Sequence, residues 1–86
     1  MGRPEKTLER VLRGTVDNNV AFNDLCGLVR HLGFAERIRG DHHIFTRENI
    51  LEIINLQPRG GKAKPYQVKQ VREIIVAHQL ADDSKT

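Results

Sequence analysis

The 86-residue chain has no tryptophan, one tyrosine, three phenylalanines, one methionine and one cysteine. A single cysteine, Cys26, rules out an internal disulfide and any zinc site built from several thiolates. Cys26 falls on the apolar stripe of a predicted helix, where a free cysteine acts as a small buried hydrophobe. No stretch approaches the roughly 18 consecutive apolar residues of a membrane-spanning helix. The opening segment "MGRPEKTLER" contains no apolar core of a secretory signal, so a cytoplasmic protein with no membrane partner is expected. Neither a repeat nor a low-complexity tract is present, and no glycine-rich segment has the GxxxxGK[ST] spacing of a nucleotide-binding loop.

What is present suits one small globular domain with a thin core: 38% hydrophobic and 29% charged residues, at a net charge of +3. Positive charge is unevenly spread. Arg59, Lys62, Lys64, Lys69 and Arg72 lie in a segment with no acid, and Arg37 and Arg39 form a second group with Arg30 upstream. Clustering of this kind points to a polyanionic partner more strongly than the net charge does.

Leu8, Val11 and Leu12 predict a short first helix, with Thr7 as its N-cap and Gly14 ending it. "TVDNNV" is a polar connector. Phe22, Leu25, Cys26, Val29 and Leu32 share one helical stripe over about 21–32, and Gly33 suits the left-handed position that closes it. "FAERI", "HHIFT" and "LEIINLQ" read as three strands joined by the turns "RGD" and "RENI", giving an antiparallel meander. In the first, Phe34, Glu36 and Ile38 share a face opposite Ala35 and Arg37. After "PRGGKAK", Pro65 opens a helix carrying Val68, Val71, Ile74, Ile75 and His78 at helical spacing. The order α-α-β-β-β-α implies an α+β two-layer sandwich. Residues 1–19 form an N-terminal extension, 20–80 the main domain and 81–86 a flexible tail.

Chemistry centres on His42 and His43. Adjacent strand residues point to opposite faces, so the two imidazoles cannot chelate one metal together. No Asp, Glu, Cys or His stands at a spacing that completes a recognisable metal site, and no cofactor is implied. His31 and His78 lie on or beside helical stripes and read as partly buried spacers. For the pair at 42 and 43, one reading has one histidine solvated and the other packed; the other has an imidazole in general acid–base catalysis beside cations. RNA would suit the second, because its own 2′-hydroxyl is the nucleophile and no metal is chemically required. Lys62 and Lys64, beside Gly60, Gly61 and a helix N-terminus, can contact phosphate or form an ordinary solvated loop. Tyr66 can stack on a base. Asn55 and Gln57 share one strand face, where they can bond the histidine loop or face water.

Three blocks, "FNDLCGLVRHLGF", "RIRGDHHIF" and "INLQPRGGKAKPYQVKQVREII", taken in this order over roughly residues 20–80, resemble the HicA toxin family of YcfA-like mRNA interferases. The resemblance implies a double-stranded-RNA-binding-domain-like fold. It further implies the toxin of a type II toxin–antitoxin system, a metal-independent endoribonuclease acting on mRNA and covered by a HicB-like antitoxin. The family's essential histidine follows Gly-Ser; here Gly40, Asp41 and His42 match, so the catalytic role maps to His42, with His43 the second candidate. Arg37, Arg39, Lys62 and Lys64 are then the phosphate-binding residues. Asp41 departs from the family serine: a carboxylate there can orient the histidine or repel phosphate. A non-catalytic RNA-binding module on the same fold is the alternative, and a purely protein-docking role for the basic face is a third.

Overall fold

The computed structural model describes residues 3–83. Its elements are α1 (Arg3–Arg13), a 3₁₀ turn (Asp17–Asn19), α2 (Phe22–His31), β1 (Ala35–Arg39), β2 (His42–Arg47), β3 (Ile50–Leu56), α3 (Pro65–Ala77) and a short α4 (Leu80–Asp83). The three strands form one antiparallel sheet in the order β1-β2-β3. The fold is therefore the α+β arrangement that the order of elements implies. A short helix stands where the tail was expected to begin; residues 84–86 lie outside the described residues.

One face of the sheet carries Phe45, Ile54 and Leu56, all essentially inaccessible, and packs against the helices. The core joins these to Leu25, Leu28 and Val29 of α2 and to Val68, Val71 and Ile75 of α3. α2 ends in paired backbone bonds, Gly33 N–H to the Arg30 carbonyl at 2.9 Å and Phe34 N–H to the Val29 carbonyl at 3.3 Å. Gly33 takes φ +94° to make that closure, a conformation a Cβ would strain. Phe34 then drops into the core and sets the phase of β1.

α1 begins at Arg3, four residues before Thr7, so Thr7 is not its N-cap. Pro4 is tolerated in the first turn, where its missing N–H has no helical partner to lose, and Thr7 is buried instead. Leu8 and Val11 join the common core, whereas Leu12 is 38% exposed at the edge of the stripe. The first helix is thus docked. Arg72 of α3 holds it from the other side: its guanidinium bonds the Val11 carbonyl at 3.0 Å and grips Asp17 through two bonds of 2.9 and 3.0 Å. This cation, grouped by sequence with a basic cluster, is spent on tertiary structure.

Candidate nucleic-acid interface

The β1–β2 hairpin reverses through Gly40 and Asp41, with Arg39 directly opposite His42. Positive φ (+61°) falls on Gly40, the first turn residue, as a II′ turn demands. Strand alternation then fixes the two histidines. Phe45 is buried, so His43, two residues earlier, faces the helices, while His42 and Ile44 face away. Arg37, paired with Ile44, and Arg39, paired with His42, lie on that same outer face and are exposed.

His42 Nδ1 lies 3.1 Å from Asn55 Oδ1. An amide oxygen only accepts, so Nδ1 carries the proton and donates it. In the tautomer whose one proton is on Nδ1, Nε2 presents a lone pair. Asp41 Oδ1 lies 3.9 Å from that nitrogen. Asp41 is itself held: Gln57 donates from Nε2 to Oδ2 at 3.0 Å, and Lys64 Nζ donates to Gln57 Oε1 at 3.4 Å. The Gln57 bond, with weaker help from its own backbone, His42 and Lys64, keeps the Asp41 carboxyl below its ordinary value. Five residues from the β1–β2 turn, the end of β3 and the start of α3 thus converge: Asp41, His42, Asn55, Gln57 and Lys64. Lys64 immediately precedes α3, and the Gln67 side chain accepts its backbone N–H at 3.4 Å. Tyr66, in the first turn of α3, is 64% exposed.

Lys62 is placed differently from Lys64. Residues 59–62 form a miniature hairpin, with backbone bonds of 2.9 and 3.1 Å between Arg59 and Lys62. Gly60 and Gly61 take φ +60° and +78°, the pair of left-handed residues a I′ turn needs. The turn is pinned to the start of α2 by the Phe22 N–H to Gly61 carbonyl bond (3.0 Å) and the Ala63 N–H to Val20 carbonyl bond (2.9 Å). Its glycines therefore have a structural reason to be there, and Lys62 is exposed on a rigid loop.

His43 belongs to another network. Its Nδ1 lies 2.6 Å from Glu36 Oε2, and its ring meets Phe22 edge-on at 4.9 Å. Arg30 grips the same carboxylate with bonds of 2.7 and 3.0 Å. The Arg30 bonds, supported by His43, hold the Glu36 carboxyl below its ordinary value. Cys26 is adjacent: one ligand atom each from Cys26, Glu36 and His43 lie within 4.8 Å of one another. Burial pushes the Cys26 thiol up to about 11, so it is protonated at neutral pH. Arg30 balances the Glu36 charge, and the group ties α2 to the sheet. Sequence spacing missed it; the one available signal was Glu36 sharing a strand face with the apolar Phe34.

The side chains of the remaining histidines are partly buried. His78 pairs with Glu52 at 2.9 Å, linking the end of α3 to β3, and His31 sits 3.9 Å from Glu5 of α1. No helix among the described residues is long and apolar enough to cross a membrane. No family model, no curated protein and no solved structure matches this chain.

Proposed function

We propose that the protein is an endoribonuclease of the HicA type, with His42 as the acid/base. The observation that carries the reading is the imidazole itself. It stands on the outer sheet face with Nδ1 tied to Asn55 and Nε2 3.9 Å from Asp41, which Gln57 and, behind it, Lys64 hold, and it pairs across the strands with Arg39. In the reaction, Nε2 accepts the proton of a ribose 2′-hydroxyl as the 2′-oxygen attacks the adjacent phosphorus. The P–O2′ bond forms, the P–O5′ bond breaks, and the imidazolium returns a proton to the departing 5′-oxygen. The products are a 2′,3′-cyclic phosphate and a 5′-hydroxyl. Arg37, Arg39, Lys62 and Lys64 supply phosphate contacts, and a cation beside the phosphorus offsets the charge that builds there. No step requires a metal ion.

His42→Ala should remove cleavage of labelled RNA, at least a hundredfold, and relieve growth arrest on induction, with an unchanged circular dichroism spectrum. Wild-type cleavage should survive EDTA. A His42→Ala protein that cuts RNA at the wild-type rate refutes the assignment; loss of activity in His43→Ala alone, with the fold intact, moves it to His43. We further propose a cytoplasmic toxin role with a HicB-like antitoxin as partner. Exposed Ile53 and Leu51 on β3 lie beside the cationic face and offer apolar area for such a cover.

One observation favours the alternative, a non-catalytic RNA-binding module: a carboxylate stands 3.9 Å from the nitrogen that would act. Binding of RNA that falls steeply with salt, with no cleavage over hours, supports that reading instead.

A further inference from the structure

The geometry points to a single anion seat formed by the Gln57 Nε2 amide and the Lys64 charge behind it, beside His42, which the protein's own Asp41 carboxylate occupies and a phosphodiester's non-bridging oxygens would take over. We infer this from how the carboxylate is held. Asp41 follows a glycine in a two-residue turn, a place where an aspartate ordinarily points to water. Instead its two oxygens are divided: Oδ2 receives the Gln57 amide at 3.0 Å, and Oδ1 stands 3.9 Å from His42 Nε2. Gln57 is in turn oriented by Lys64, whose ammonium bonds its carbonyl oxygen at 3.4 Å and so turns the amide N–H₂ toward the carboxylate. The groups come from three separate segments: the start of β2, the residue after β3 and the residue before α3. A side-chain amide backed by an ammonium group and aimed at one exposed anion is an arrangement that suits phosphate as well as carboxylate.

The consequence is competition. A phosphate oxygen needs the Gln57 amide and the Lys64 charge, and Asp41 both fills the first and neutralises part of the second. Phosphate binding therefore requires the Asp41 side chain to swing out around its exposed turn, and its negative charge stays nearby even then. Removing the charge while keeping the shape should open the seat. This inference rests on the proposed RNA substrate for its biological meaning, but not for its test.

The test is titration of the full chain with inorganic phosphate at constant ionic strength, followed by the backbone amide signals of residues 40–43 and the Gln57 side-chain amide in nitrogen-15 correlation spectra. Asp41→Asn should bind phosphate roughly five- to tenfold more tightly than wild type, the effect of one charge at this range near a surface. The gain should vanish in Asp41→Asn combined with Gln57→Ala, and fall in Asp41→Asn combined with Lys64→Met. Glu48→Gln, the same change of net charge at another exposed hairpin turn, should leave the affinity unaltered. Equal affinity of Asp41→Asn and wild type overturns the inference, and so does a gain that survives in full when Gln57→Ala or Lys64→Met is added, or that is matched by Glu48→Gln. Failure of the nuclease reading looks different: phosphate binds as described, but neither protein cuts RNA.

Discussion

Replacing Val11 with alanine tests whether the first helix belongs to the folded unit or merely precedes it. Val11 has no exposed surface and packs in the common core, and its carbonyl is one of the groups Arg72 holds. The substitution removes two methyl groups, about 1.6 kcal/mol of transfer free energy at ~0.8 kcal/mol each. Incomplete collapse of the surrounding core adds roughly 1 kcal/mol. Alanine's better helix propensity returns about 0.5 kcal/mol. The net loss is about 2 kcal/mol, a large share of the ~5 kcal/mol that holds a domain of this size at the lower end of the usual range. At 4–8 °C per kcal/mol for such small domains, the thermal midpoint should fall by roughly 8–16 °C. Leu12→Ala, one residue along but 38% exposed, is the control and should lose under about 1 kcal/mol. Urea titrations followed by circular dichroism give both values. If Val11→Ala loses less than about 0.5 kcal/mol, or no more than Leu12→Ala, α1 is not part of the cooperative unit and the packing argument fails. RNA cleavage per folded molecule should stay unchanged, because Val11 belongs to the helical layer and His42 to the opposite sheet face.

Asn55→Ala should lower kcat for RNA cleavage roughly three- to tenfold, the weight of one hydrogen bond, with KM little changed. Asn55→Asp, which accepts the same Nδ1 proton, should recover part of the rate and move the His42 limb of the pH profile upward; a rise in KM alone would show that Asn55 merely contacts RNA. For Glu36, the folded-state carboxyl is held below the ordinary 4.5, chiefly by Arg30 and then by His43, so its contribution is present above that pH and lost as pH falls through the lowered value. Wild type should therefore exceed Glu36→Gln in stability at neutral pH, and their urea midpoints should converge below about pH 4.5; a constant gap down to pH 2 contradicts the ion-pair account. The Cys26 thiol, buried and pushed up to about 11, should react with a disulfide reagent at pH 8 at least a hundredfold more slowly in the native protein than in urea. Rapid native labelling would mean that the α2–sheet seam opens readily.

Patterns with a short period were legible in the sequence. Alternation in "HHIFT" separated the two histidines, because a side-chain period of two admits only one assignment once Phe45 is inside. Glycine at 33 and 40 marked the helix end and the turn, since both backbones take positive φ. Asn55 and Gln57 share a strand face in any register, and two bonding partners for that face are what the fold supplies. Other features were illegible because they depend on distance through space. Nothing near Arg72 distinguishes it from Lys69, yet its partner Asp17 lies 55 residues away and removes it from the basic surface. The start of α1 was misplaced because Thr7 has the chemistry of a cap and the burial of a core residue, and burial is set by α2 and α3 packing over it. The Arg30–Glu36–His43 group joins a helix to two strands, and no local spacing encodes that.

The opposed histidines have a consequence for errors of strand pairing. A slip of β2 by one residue against its neighbours would carry His43 to the outer face and His42 inward, leaving a molecule that still shows one imidazole to solvent and buries the other. Composition alone would not expose the mistake. The same slip turns Phe45 out to water, exposing the largest fully buried side chain of the protein, a loss of about 2–3 kcal/mol or more of burial. Phe45 thus acts as a proofreader for the pair: misregistered chains are disfavoured by instability before the two imidazoles can exchange faces.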